Sequence, residues 1–309
     1  MARITMIGAG PKGATVELDH SPSLATLYGR AALGAVPGLG GHRPDTLPGT
    51  DLVLRGVVVD RARLAAYDRV CGFRVSDTLP ATYPHVLAFP LAMRLMADPS
   101  FPFPAVGLVH VANRIELLAP IDAAEPLDIA VHVADLRPHD RGRQFDLIAT
   151  ASGGGRAVWR SASTYLRKEQ APGGERRGDG EPRGDGEPRG DGGRPAPPAA
   201  SAVWRVGART GTAYAEVSGD RNPIHTSRLA ARLFGFPRTI VHGMWSMARC
   251  LAALEGRLPD AYTVDVQFKA PMLLPARVGF SASRDAGGGW RFALHDVRSG
   301  KPHLTGSVT

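Results

Sequence analysis

The chain has 309 residues and a mass of 32.7 kDa, room for two ordinary domains or one large one. It is 43% apolar and 21% charged, the composition of a soluble globular chain with a sizeable core. Basic residues exceed acidic ones by 8, yet only four of the 37 are lysine and the arginines are scattered, so no basic stripe marks a nucleic-acid surface and the excess favours an anionic ligand.

Cys71 and Cys250 are the only cysteines and lack a paired spacing, which argues against a disulfide framework or a zinc cage. No apolar run approaches the roughly 18–20 residues of a membrane span. The first residues do not read as a signal peptide, so a cytoplasmic location is expected.

Residues 1–50 are rich in Gly and Pro and too weakly patterned to assign. The segment GAGPKG, from Gly8 to Gly13, fits GxGxxG only in letters. Pro11 breaks the turn, and ATVELDHSPS is too short and polar for the helix a dinucleotide loop must open. A helix is predicted over 85–97, HVLAFPLAMRLMA, with Pro90 disturbing its first turns. Strands follow at Val109/Val111/Ile115/Leu117, at Ile129/Val131/Val133 and at Phe145/Leu147.

Between residues 169 and 200 the unit RGDGEP repeats and then gives way to Pro and Ala. With no aromatic or branched aliphatic residue, this tract cannot offset the entropy of ordering itself, and a disordered linker is expected. Its Arg-Gly-Asp tripeptides are read as products of repeat slippage, not as adhesion signals. Beyond it, Met244, Met247, Ala248, Leu251 and Leu254 recur at helical spacing, and Gly256 supplies a stop. Tyr262, Val264, Val266 and Phe268 then alternate with polar residues as in a half-buried strand. Shorter alternations follow at Val278/Phe280 and Trp290/Phe292/Leu294, with a last strand around Leu304. Each half thus reads as an apolar helix headed by a histidine, His85 or His242, followed by antiparallel strands. The class is α+β, with two copies of one fold. The expected division is a domain over 1–168, the linker over 169–200 and a second domain over 201–309.

The stretch YAEVSGDRNPIHTSRLAARLFGF, residues 214–236, carries the chemistry. Asn222-Pro223 forces a turn between Asp220 and His225, so both side chains can converge on one point. An acid and an imidazole meeting at one water form a competent general acid/base pair. Read alone, the segment also fits a loop whose Asp and Asn bond their own backbone.

The string S-G-D-x-N-P-I-H, the Ala-rich helix after it and V-H-G-M at 241–244 closely resemble the MaoC-like (R)-specific enoyl-CoA hydratase/3-hydroxyacyl dehydratase family, of the tandem hot-dog type. The resemblance implies a double hot-dog: two antiparallel sheets, each wrapped around a central helix. It implies that Asp220 and His225 hold a water that is added across a trans-2-enoyl thioester or removed from the (R)-3-hydroxyacyl form. His225 would take the proton from water and Asp220 supply one to the α-carbon, with that division left open. Gly243, opening the central helix, resembles the oxyanion position, where unpaired N–H groups and the positive dipole end meet a thioester oxygen. Asn222 would hold the loop, with Ser218, Gly219 and His242 in supporting places.

No metal, nucleotide or redox cofactor is needed, because the thioester itself acidifies the α-carbon. The expected partner is an acyl-CoA or acyl carrier protein thioester, with a homodimer as a further expectation and no nucleic acid or membrane. The rival readings are a 3-hydroxyacyl-[acyl carrier protein] dehydratase and, outside catalysis, an acyl-binding partner subunit. A hot-dog thioesterase would carry its carboxylate on the central helix, where only Glu255, at the far end, is available. The N-terminal half has no Asp-x-Asn-Pro-x-His and is expected to be folded but catalytically silent. Ala88, Leu91 and Ala92 on its helix are read as core residues that could border an acyl tail.

Overall fold

The computed structural model describes residues 13–34, 43–169 and 199–309. The repeat tract and the glycine segment, apart from Gly13 and the tract's outermost residues, lie outside them. The N-terminal half runs β1 (Thr15–Leu18), α1 (Leu24–Gly34), β2 (Asp51–Val57), α2 (Arg61–Cys71), α3 (Tyr83–Met96), β3 (Leu108–Leu117), β4 (Leu127–His139), β5 (Gly142–Gly153) and β6 (Arg156–Lys168). The C-terminal half runs β7 (Ala202–Val206), α4 (Thr210–Ser218), α5 (Pro223–Thr226), α6 (Arg228–Leu233), α7 (Gly243–Ala252), β8 (Tyr262–Phe268), β9 (Ala276–Arg284), β10 (Trp290–Asp296) and β11 (Pro302–Val308). No described helix is long and apolar enough to cross a membrane.

The predicted central helices are α3 and α7. In α3, Pro84 sits in the first turn, where its missing N–H costs nothing. Pro90 lies in the interior, where a proline usually costs about 3 kcal/mol. The helix runs through it because it is buried on nearly every side, from Tyr83 to Met96. Ala88, Leu91 and Ala92 are all packed into the core. Helix α7 buries Met244, Met247, Ala248 and Leu251, and the chain leaves it through Gly256 in the left-handed region at φ 74°.

The expected strands are present, but the two sheets are not separate. They form one eleven-stranded sheet in the order β1-β2-β4-β5-β6-β3-β8-β11-β10-β9-β7. All neighbours are antiparallel except β1 and β2, which pair in parallel at one edge. The halves join where β3 pairs with β8, Ile115 opposite Val264 and Asn113 opposite Val266. Across this seam Arg114 reaches Asp265 at 2.7 Å and Glu116 on its own strand at 3.1 Å. The amide of buried Asn113 donates to Ser163 Oγ at 2.8 Å.

Those serines explain why β6 escapes a reading by hydrophobic alternation. Part of its buried face is Ser161 and Ser163, which face Asn113 rather than an apolar layer. Helix α2 escapes it too, being fixed by its ends. Asp60 caps it by accepting from the N–H groups of Ala62 and Arg63, and Gly72 closes it at φ 84°. Both cysteines are free and buried.

Helix α2 carries one costly group. Asp68 is fully buried, and burial pushes its carboxyl up to about 6. A carboxyl whose folded pKa is raised costs nothing below the unfolded value near pH 4, and its penalty grows as pH climbs towards 6. Asp68→Asn is therefore expected to raise the melting temperature above pH 6, by a free energy on the order of 1–2 kcal/mol after solvent screening, and to change little at pH 4. Thermal melts of both proteins across that range check this. An equal shift at both ends would contradict it.

Candidate active site

Helix α4 delivers the chain to the loop that the sequence singles out. It ends at Gly219 with φ 80°, a conformation suited to glycine, and a Cβ there would lie 2.6 Å from Leu24 Cδ1 of α1. Two local hydrogen bonds shape the next residues. Ser218 Oγ accepts from the Asp220 N–H at 3.2 Å, and Asn222 Oδ1 caps α5 by accepting from the Ile224 N–H at 3.3 Å. With Pro223 at its first position, this single turn brings His225 round into a buried place.

There Asp220, His225 and His242 each present an atom within 4.8 Å of the others, the one His/Cys/Asp/Glu cluster of that kind among the described residues. His225 Nδ1 lies 2.8 Å from the Ile240 carbonyl oxygen. That oxygen only accepts, so Nδ1 carries the proton and Nε2 keeps its lone pair. By the same reasoning His242 donates from Nε2 to the Asp220 backbone carbonyl at 2.9 Å. The two imidazoles stack 3.6 Å apart, 27° from parallel. Asp220 Oδ1 accepts from the Tyr28 hydroxyl at 3.0 Å and the Asn222 N–H at 3.2 Å, while Oδ2 faces His242 Nε2 at 3.8 Å.

The electrostatics set the resting charges. Burial holds His225 below its ordinary value despite Asp220 and Ile240 pulling the other way. Burial and the His225 neighbour lower His242 to about 3. For Asp220 burial acts upward, but His242, His225, the Asn222 N–H and Tyr28 outweigh it and hold the carboxyl below its usual range. At neutral pH the cluster is one carboxylate beside two neutral imidazoles.

Gly243 opens α7, with His242 as an N-cap whose side chain does not cap the helix. The first intrahelical bond runs from the Ser246 N–H to the His242 carbonyl at 3.2 Å. The N–H groups of Gly243, Met244 and Trp245 therefore have no acceptor within the helix. A Cβ on Gly243 would meet the Phe268 ring at 3.0 Å, so the position is also closely packed.

All seven residues picked from the sequence lie on this loop and helix start. Several neighbours were missed, a number of them from the N-terminal half. Tyr28 of α1 is one. His85, His110 and Tyr165 form another group, with rings 6.2 Å apart for the histidines and 4.7 Å between His110 and Tyr165. Phe268, the ring over Gly243, touches His110 at 4.9 Å. In the N-terminal half Asp77 forms an exposed ion pair with Arg61. Glu255 lies past the far end of α7, paired with Arg74 at 3.7 Å.

Residues 203–306 match the MaoC-like domain. The chain is 38% identical over 280 residues to 3-hydroxyacyl-thioester dehydratase X of Mycobacterium tuberculosis, covering 90% of this chain and 95% of that protein. The crystal structure of HtdX from Mycobacterium tuberculosis superposes with a TM-score of 0.71 at 35% identity, over 84% of this chain and 98% of that one. Another Mycobacterium tuberculosis protein, described as a double hot-dog fold, matches at TM-score 0.50 and 16% identity over 83% of this chain and 94% of its own, a likeness of fold alone.

Proposed function

The chain belongs to the MaoC-like dehydratase family, and on that premise we propose that it interconverts trans-2-enoyl and (R)-3-hydroxyacyl thioesters by adding or removing water. The observation that carries the proposal is the pairing of a carboxylate with a neutral imidazole whose lone pair is fixed at Nε2 by the Ile240 carbonyl. Membership, together with identity to a dehydratase over nearly the whole chain, supports an acyl thioester as substrate.

In the hydration direction Asp220 Oδ2 and His225 Nε2 hold one water. His225 Nε2 takes a proton as the water oxygen bonds to the β-carbon. The resulting imidazolium sits beside the Asp220 carboxylate, which stabilises it. That proton then passes from the dyad to the α-carbon, so the one proton lost by water is the one gained by substrate. Because Asp220 is ionised at rest, it delivers to the α-carbon only a proton it has first received. The charge that builds on the thioester oxygen meets the free N–H groups at the start of α7, beside Gly243. Asn222, Ser218 and Gly219 keep the loop in shape, and His242 braces it through the Asp220 carbonyl.

The thioester carrier is coenzyme A or an acyl carrier protein; the positive balance of the chain suits both, since each presents phosphate. The test is the fall of enoyl-thioester absorbance when purified protein meets crotonyl- and longer trans-2-enoyl-CoA, repeated with the same acyl groups on carrier protein. Conversion of neither form would remove the proposal.

A further inference from the structure

We propose that Tyr28, in the N-terminal half, is a positioning residue for the catalytic loop: its hydroxyl orients the Asp220 carboxylate, so the active site is complete only with both halves. This rests on the assignment of Asp220 above. The contact is 3.0 Å to Oδ1, between residues 192 apart in sequence. The same oxygen of Tyr28 accepts from the Arg221 N–H at 2.8 Å. One phenol thus ties the carboxylate to the peptide that follows it and fixes which carboxylate oxygen stays free. Helix α1 is seated for this by Leu24, which fills the space a side chain on Gly219 would need. Nearby, Arg63 of α2 donates to the Val217 carbonyl at 2.8 Å, a second clamp on the end of α4.

No other side chain among the described residues donates to a carboxylate oxygen of Asp220 at hydrogen-bond distance. On the C-terminal side its titratable neighbours are Tyr214, His225 and His242. On the N-terminal side its charge reaches His85, His110 and Tyr165, whose charged forms burial disfavours. Against that background Tyr28 is the group that sets the direction of the carboxylate.

Tyr28→Phe removes the donor and keeps the ring. It is expected to lower kcat about 10-fold with KM within about twofold, the size of one hydrogen bond to a charged group. It should also move the acid limb of the pH–rate profile towards neutrality, because a carboxylate that loses a donor is protonated more readily. Replacing Tyr28 by 3,5-difluorotyrosine keeps the shape and sharpens the donor, and should move the limb the other way. This second variant decides the matter if the phenylalanine variant is unstable. An unmoved acid limb in both, with or without a fall in kcat, would overturn the inference. The two failures are separable: an inactive Asp220→Asn beside an indifferent Tyr28→Phe sinks only the role of Tyr28, whereas an active Asp220→Asn sinks the assignment beneath it.

Discussion

Asp220→Asn and His225→Gln are each expected to lower turnover by at least about 100-fold while the melting temperature stays close to that of the wild type. The asparagine keeps an oxygen for Tyr28 and the Asn222 N–H but loses the negative charge that steadies an imidazolium. The glutamine can still donate to the Ile240 carbonyl, yet has no lone pair on nitrogen to take a proton from water. Because the two groups act as a unit, the double variant should be little worse than the poorer single one. Steady-state hydration rates with thermal melts check this. Near-wild-type turnover in either single variant would remove the dyad.

Gly243→Val is expected to cost about 100-fold or more in kcat/KM, comparable to losing an oxyanion donor. The added carbons fall against the Phe268 ring, already 3.0 Å from where a Cβ would sit, and over the start of α7. Packing and catalysis are separated by relieving the clash. Gly243→Val with Phe268→Ala should regain stability without regaining turnover, because the side chain still stands between the thioester and the helix N-terminus. Recovery of turnover in the double variant would make Gly243 a packing residue only.

The parts legible in the sequence were those in which neighbouring residues carry the signal. The alternation from Tyr262 to Phe268 is visible because β8 buries Val264 and Val266 on one side and shows polar residues on the other. The approach of Asp220 and His225 is visible because one turn, Asn222 to His225, makes its geometry local. What stayed hidden depends on distant partners. Strand β6 buries serines that only Asn113 explains, and α3 survives Pro90 only because the fold encloses it. Tyr28 lies in a Gly/Pro-rich stretch with weak periodicity, and its meaning appears only when α1 meets a loop from the other half. The sequence reading treats the N-terminal half apart from the Asp220 loop and so misses that this half reaches it through Tyr28.

The same distance separates the acyl question from the sequence. Ala88, Leu91 and Ala92, read from the sequence as core residues that could border an acyl tail, are all packed into the core. Within electrostatic reach of Asp220 the N-terminal half brings polar and aromatic groups: Tyr28, His85, His110 and Tyr165.

A single loop that holds the water can deliver it to only one face of an enoyl thioester. Chiral analysis of the 3-hydroxyacyl product formed from a trans-2-enoyl thioester by the purified full chain tests this. A single enantiomer, the (R) form, is expected; the (S) form or a racemic mixture would rule out addition from this loop.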